Sequence, residues 1–371
     1  MTPGICFPGG TGIRMKHMKK TGILVTGGAG AVGMEVLGEL VKSYSHLKIR
    51  AFDLGGKRAR KSLKSFGNRI EVITGSINDY PLLEKAVEGM DIIIHLAAVI
   101  PPAADKNPAL AWKVNVEGTR NLIRAAGRRS PDAFLLHTSS VSVYGDRVKN
   151  PWIQVEDELN PSIGDEYGRG KVVAEGIVRE SGLRYSIFRL TGIMGPSQMK
   201  RKGIDPLFFH MPLNTSYEFA TTRDAGFAIS RVPFHLKELE NRVFNLAGGE
   251  SCRVTYRNFL KQSMPIIGLN LGEFPEEAFA TRNFHCGYFK DSEKLEKILH
   301  FQRDSMDSYI RWISEAVPNW RKRLVKAGGK SIVRFMLKHS DPLRALREKN
   351  KPMVERFFRS PPTFSPAHSG C

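Results

Sequence analysis

At 371 residues, 41% of them hydrophobic, the chain is long enough for one large domain or two modest ones around a buried core. Its four cysteines (Cys6, Cys252, Cys286, Cys371) lie far apart with no CxxC or His/Cys ligand spacing, which argues against a disulfide framework or a metal site and for a reducing, cytoplasmic compartment. The net charge of +19 gathers toward the C-terminus, where Arg321–Arg359 holds thirteen Lys/Arg against three Asp/Glu, so a fold-wide basic surface of the nucleic-acid type is disfavoured.

The first twenty residues lack the apolar core of a secretory signal, and Met15 or Met18 is an alternative start. No stretch reaches the roughly 18 apolar residues that a membrane span needs. From Gly22 to Leu190 short apolar runs alternate with helical patterns. The runs are ILVT (23–26), IRAFD (49–53), IEVIT (70–74), DIIIHLA (91–97), AFLLHTS (133–139) and YSIFRL (185–190); helices are expected over 31–42, 80–88, 109–128 and 166–181. Near-continuous apolar runs suit strands buried on both faces, and the regular alternation predicts an α/β fold, a Rossmann-type doubly wound parallel sheet.

Thr26-Gly27-Gly28-Ala29-Gly30-Ala31-Val32-Gly33 follows the first strand and opens the first helix. Gly27 permits the tight turn, Gly30 a close backbone approach to a pyrophosphate, and Gly33 close helix–strand packing; the helix N-terminus offers free N–H groups. Asp53 ends the second strand, where a carboxylate accepts hydrogen bonds from ribose hydroxyls and repels a 2′-phosphate, favouring NAD over NADP. Lys57, Arg58 and Arg60 are the counter-argument, with a solvated helix start as their plain reading.

Further along, Thr138-Ser139-Ser140 closes the fifth strand, and Tyr167-Gly168-Arg169-Gly170-Lys171 places a phenol and an ammonium four apart on one helix face. A cation there is expected to lower the tyrosine pKa toward neutrality, making Tyr167 a general base toward a hydroxyl or an acid toward a carbonyl. Gly27, Asp53, Ser76, Ala97, Ser140 and Thr191 all fall at carboxyl ends of strands, the edge at which open α/β sheets bind ligands.

After Pro196 the pattern loosens: a variable stretch with Lys200, Arg201 and Lys202, then TTRDAGFAI, a strand-like VFNLAGG (243–249) and a helical YRNFLKQS. The expected division is a dinucleotide-binding domain over 20–195 with a return strand near 243–249, a lobe over 196–316, and a basic, partly disordered tail over 317–371. Within the tail, WRKRLVKAGGKSIVRFMLK reads either as a basic amphipathic helix for a peripheral membrane contact or as a helix packed on the protein itself.

TGGAGAVG, Asp53, HLAA (95–98), VNVEGT (114–119), HTSSVSVYG (137–145), YxxxK and FRLTGIMGP (188–196) together resemble the extended short-chain dehydrogenase/reductases, the NAD-dependent epimerase/dehydratase family, over roughly residues 20–316. The resemblance implies NAD as cofactor, a small C-terminal substrate lobe and a homodimer. It assigns catalysis to Ser140 (Ser139 its neighbouring alternative), Tyr167, Lys171 and Asn115. It gives cofactor contacts to Gly27, Gly30, Ala31, Val32, Gly33, Asp53, Leu96, Ala97, Ala98, Tyr167, Lys171 and Thr191. Ser76 and Ile77 stand where the family usually carries an acidic residue near the adenine. His95 is expected to pack structurally, and Asp79 to cap the next helix.

Val141-Ser142 replaces the Asp-Glu pair that sugar 4,6-dehydratases place after the catalytic threonine, which disfavours a dehydratase. The SSVSVYG stretch is most similar to the epimerases, so an NAD-dependent epimerase acting on a nucleotide sugar is the leading expectation. A dehydrogenase/reductase of a sugar or other carbinol is the alternative. An NAD-binding scaffold or RNA-binding protein is a third reading, against which stand the retained Ser140, Tyr167, Lys171 and Asn115 and the absence of interleaved stacking aromatics.

Overall fold

Gly22–Thr26 is buried along its whole length, which only a central strand covered on both faces can satisfy. It is β1 of a chain that continues as α1 (Ala31–Ser43), β2 (Lys48–Asp53), α2 (Lys57–Lys64), β3 (Ile70–Thr74), α3 (Tyr80–Val87), β4 (Ile92–His95), α4 (Gly118–Arg129), β5 (Phe134–Ser140), α5 (Glu166–Arg179) and β6 (Arg184–Leu190). Then come β7 (Ser216–Glu218), α6 (Thr222–Arg231), β8 (Arg242–Leu246), β9 (Arg253–Thr255), α7 (Tyr256–Ile267), α8 (Ser292–Leu299) and α9 (Met306–Ala316). Four helices follow: α10 (Asn319–Ala327), α11 (Gly329–Leu337), α12 (Asp341–Arg347) and α13 (Lys351–Phe357). The structure, a computed structural model, describes residues 21–196, 205 and 207–358.

Seven strands form one parallel sheet in the order β8-β6-β5-β4-β1-β2-β3. The chain winds outward from β1 to β3 and then returns to β4 on the other side of β1. The carboxyl ends of β1 and β4 therefore flank the switch point, where such sheets open a ligand crevice. One face is covered by α1 and α6, whose Val36, Leu37, Leu40, Ala225 and Ile229 share a core with Ile23 and Val25. The other is covered by α3 and α4 through Leu83, Ala86, Leu122 and Ala125 against Leu24 and Ile93.

Two local readings needed correction. The single helix expected over 109–128 is a short helix (Pro108–Trp112), one turn of π-helix (Lys113–Glu117) and then α4. That wide turn carries Asn115. β3 is an edge strand with Glu71, Val72 and Thr74 exposed, because no strand lies beyond it. Asp79 caps α3 as expected, accepting the Leu82 N–H at 3.2 Å.

A second core is built on aromatics: Phe209, Tyr217, Phe219, Phe259, Phe279 and Tyr309. β8 joins the sheet as the return strand expected near 243–249, and α6 and α8 cover that sheet; Val325, Ile332, Val333 and Met336 of the basic segment complete the aromatic core. The chain stays packed to its last described residues. Ser340 Oγ donates to the Ala278 carbonyl at 2.7 Å, Thr281 N–H donates to the Phe357 carbonyl at 2.8 Å, and Phe357 and Phe358 are buried. Lys200, Arg201, Lys202 and 359–371, the end expected to be disordered, lie outside the described residues.

Candidate active site

The turn between β1 and α1 leaves no room for side chains. Gly27 has φ +71°, and a Cβ there would stand 2.8 Å from the Ala97 backbone nitrogen. At Gly33 a Cβ would fall 2.4 Å from the Gly27 carbonyl oxygen, so α1 seats directly on the turn. Gly30 differs: it is exposed, only the Gly27 carbonyl lies near its absent Cβ, and as N-cap of α1 it supplies no side-chain cap. The first N–H groups of α1, from Ala31, Val32 and Gly33, thus lack helical acceptors, which makes a cradle for an anion.

Asp53 accepts the Ala29 N–H at 3.0 Å and the Gly55 N–H at 3.2 Å, fixing its carboxylate between the glycine turn and the start of α2. Asp53, Gly30, Ala31, Lys57, Pro196 and Trp312 are among the residues lining a cleft of about 800 Å³. Glycines that a Cβ would block, an uncapped helix start and a carboxylate at the end of β2 fit a dinucleotide.

Behind the turn runs a buried hydrogen-bonded thread. The Thr119 hydroxyl donates to the Asn115 carbonyl at 2.7 Å and so receives the His95 Nε2–H at 2.9 Å. His95 Nδ1 is then an acceptor for the Thr26 hydroxyl at 2.8 Å, and Thr26 Oγ in turn receives the Ala97 N–H at 3.3 Å. Burial, with Lys171 adding to it, pushes the His95 pKa down to about 3, so the ring is a neutral strut. Asn115 holds Val99 at both ends, its Oδ1 accepting the N–H at 2.8 Å and its Nδ2 donating to the carbonyl at 2.9 Å. Its side chain is a clamp on the loop after β4.

Ser140, Tyr167 and Lys171 come together at the ends of β5 and α5. The Ser140 side chain lies close enough to the Tyr167 phenol to lower its pKa, and Ser140 Oγ receives the Ser142 N–H at 3.2 Å and the Ser142 hydroxyl at 3.1 Å. Ser139, the alternative, is buried with its hydroxyl unpartnered among the described residues. Lys171 Nζ lies 5.9 Å from the Tyr167 ring centroid and donates to the Thr138 carbonyl at 2.7 Å.

The expected lowering of the Tyr167 pKa is not found in this arrangement. Burial raises the phenol well above its ordinary value, the Ser140 side chain only partly offsets this, and Asp165 raises it further. Burial also pushes Lys171 down to about 8, against the pull of Glu175.

The remaining expected positions are structural in their contacts. Ser76 Oγ accepts the Asn78 N–H at 3.1 Å. Ile77 is wedged against the α4 backbone, where a Cβ on Gly118 would stand 2.5 Å from its methyl group. The Thr191 hydroxyl donates to the Glu218 carbonyl, Leu96 packs on the core, and Ala98 is half-buried in the loop that Asn115 clamps.

Sequence reasoning missed one network altogether. Arg189 pairs with Glu175 through two bonds of 2.9 and 2.8 Å, both side chains being at most 2% exposed. The guanidinium also donates to Tyr144 Oη at 2.8 Å; Tyr144 donates to Asn245 at 2.7 Å, and Asn245 to Asp291 at 2.9 Å. This network locks α5, which carries Tyr167 and Lys171, to β6 and β8. The available signal was an arginine in the otherwise apolar YSIFRL run, which demands a buried carboxylate.

Residues 24–186 match the family model of the 3-beta hydroxysteroid dehydrogenase/isomerase family. The chain is 34% identical to the 3 beta-hydroxysteroid dehydrogenase/Delta 5-->4-isomerase of Mycobacterium tuberculosis, over 47% of each chain. It is 30% identical to the D-erythronate dehydrogenase of Cupriavidus necator, over 41% of this chain and 48% of that one. The chain spans about half the length of the curated relatives it matches. The solved structure of UDP-glucuronic acid 4-epimerase from Bacillus cereus, in complex with NAD and a fluorinated UDP-sugar, superposes with a TM-score of 0.64 at 20% identity. It covers 82% of this chain and 100% of its own, a likeness of fold.

Proposed function

We propose that this chain is a short-chain dehydrogenase/reductase, an NAD-dependent enzyme that oxidises a secondary alcohol or reduces the matching carbonyl. The observation that carries the reading is the gathering of Ser140, Tyr167 and Lys171, whose Nζ lies 5.9 Å from the Tyr167 ring centroid, at the same sheet edge as the glycine turn and Asp53. From β2 to β5 that edge crosses three strand spacings, about 14 Å, the reach of an extended dinucleotide. When bound, the nicotinamide accepts a hydride from the carbinol carbon or returns one. Ser140 and Tyr167 present two hydroxyls to the substrate oxygen, and Tyr167 takes or gives its proton. Lys171 stands beside the phenol with its Nζ anchored on the Thr138 carbonyl, while Asn115 and His95 hold the loop and turn that border the site.

Two fates of the keto product remain. Curated relatives at 30–34% identity are named as dehydrogenases, which favours release and turnover of NAD(H). A nucleotide-sugar epimerase is the second reading. Val141 and Ser142 are buried after Ser140, so no additional acid or base stands there, and an epimerase needs none. The same burial speaks against a dehydratase.

Incubating the full chain with NAD and a panel of sugar acids, 3-hydroxysteroids and UDP-, GDP- and TDP-sugars separates the two. Stoichiometric NADH with a product two hydrogens lighter marks a dehydrogenase; a product of unchanged mass and altered retention, with NAD not consumed, marks an epimerase. Tyr167→Phe should bind NAD as the wild type does and lose on the order of a thousandfold in turnover. Wild-type turnover in that variant would sink the assignment.

A further inference from the structure

The basic segment folds into two consecutive helices with two unlike faces. Val325, Ile332, Val333, Met336 and Leu337 turn inward onto the aromatic core, and the α10 backbone presses on the end of α7, where a Cβ on Gly268 would stand 2.6 Å from the Lys322 carbonyl oxygen. These contacts fix the pair to the protein and leave the opposite face unused by folding. On that face Trp320 and Leu324, four apart on α10, are 64% and 63% exposed, and Phe335 of α11 is 53% exposed.

Single exposed apolar residues are ordinary; three large ones on adjoining helices are less so. Their surroundings are uniform in charge. Residues 319–338 carry seven Lys/Arg (Arg321, Lys322, Arg323, Lys326, Lys330, Arg334, Lys338) and no Asp/Glu. None of the seven forms an ion pair among the described residues. A surface salt network would have paired some of them, and a purely solvating face would not have kept Trp, Leu and Phe among them.

We propose that the α10–α11 face docks the protein on a bilayer containing anionic lipids, with Trp320, Leu324 and Phe335 entering the interface and the exposed cations around them meeting the headgroups. The charge complementarity selects an acidic surface, and the apolar residues select one with an accessible hydrocarbon boundary, which a nucleic acid lacks. No helix among the described residues is long and apolar enough to cross a membrane, so the contact is peripheral.

The test is co-sedimentation of the full chain with vesicles of phosphatidylcholine alone, or of phosphatidylcholine with 30% phosphatidylglycerol, at about 0.1 M salt. The expected result is binding to the anionic vesicles only, weakening as salt rises. Two surface variants then separate the contributions: Trp320→Ser with Leu324→Ser and Phe335→Ser, and Lys322→Gln with Arg323→Gln and Lys326→Gln. Each set should lower vesicle binding by at least about tenfold, at about fivefold per cation for the second, with unchanged thermal melting. Equal binding to both vesicle types, wild-type binding in either variant set, or binding of a 20-mer duplex without binding of vesicles would overturn the proposal.

Discussion

The sheet half and the aromatic half of this molecule are held together by different means. Around β1, β4, β5 and β6 an aliphatic core is threaded by buried polar groups: Thr26, His95, Thr119 and Asn115 in one line, and Glu175, Arg189, Tyr144, Asn245 and Asp291 in another. Both lines end on groups that border the candidate site. In the second core Phe208, Phe209, Phe274 and Phe279 pack ring on ring, and the Phe259 ring stacks on Tyr309 at 5.7 Å. Apolar packing tolerates adjustment, whereas a buried charge has one acceptable partner. The half that carries the candidate site is therefore the more exactingly specified.

The largest effect should come from breaking a polar line. Arg189→Met leaves the buried Glu175 carboxylate with only the part-exposed Arg179 at 3.5 Å, and should cost about 3–5 kcal/mol in urea unfolding. Adding Glu175→Leu should restore most of that loss. If the double variant is no more stable than the single one, the network does more than balance charge, and the contrast between the halves has been misplaced.

Next is the pH response of Lys171. Its pKa is about 8 in the folded protein against an ordinary 10.5, so the folded state sheds this proton first. The stability it contributes is fully present above pH 10.5 and is lost as pH falls toward 8, below which the curve flattens. Over that window the wild type should gain up to about 1.4 kcal/mol per pH unit more than Lys171→Met does. Parallel curves for the two would remove the buried ammonium from the account.

These two regions were also unequally legible. β1 to β6 announce themselves because each is a short apolar run ended by a residue with chemistry, and the glycine turn because Gly27 and Gly33 sit where no Cβ fits. The polar lines were hidden for a physical reason: Arg189 and Glu175 lie fourteen positions apart and Thr26 and His95 sixty-nine apart; packing of α5 on β6 makes the first pair neighbours and the β1–β4 register the second. The π-turn at Lys113–Glu117 left no mark on the apolar pattern of 109–128. In the C-terminal part β7 and β9 are three residues each, and the chain end is pinned by contacts such as Ser340 to Ala278 and Phe357 to Thr281. Its basic composition read as a tail, because lysines and arginines on the outer face outnumber the few apolar residues that anchor the inner one.

The smallest predicted effect tests the aromatic half by the opposite criterion. Phe259 is buried among Tyr217, Phe219, Tyr256 and Tyr309. None of its atoms needs a polar partner, so Phe259→Leu removes ring contacts without stranding a charge or a hydrogen-bonding group. The neighbours are rings and flexible side chains that can close part of the gap, which limits the loss to about 1 kcal/mol. Urea unfolding with an unchanged m-value would register it as a pure change in stability. A loss of about 4 kcal/mol would mean that this core is as exacting as the Arg189 network, and would erase the distinction on which the two halves are compared.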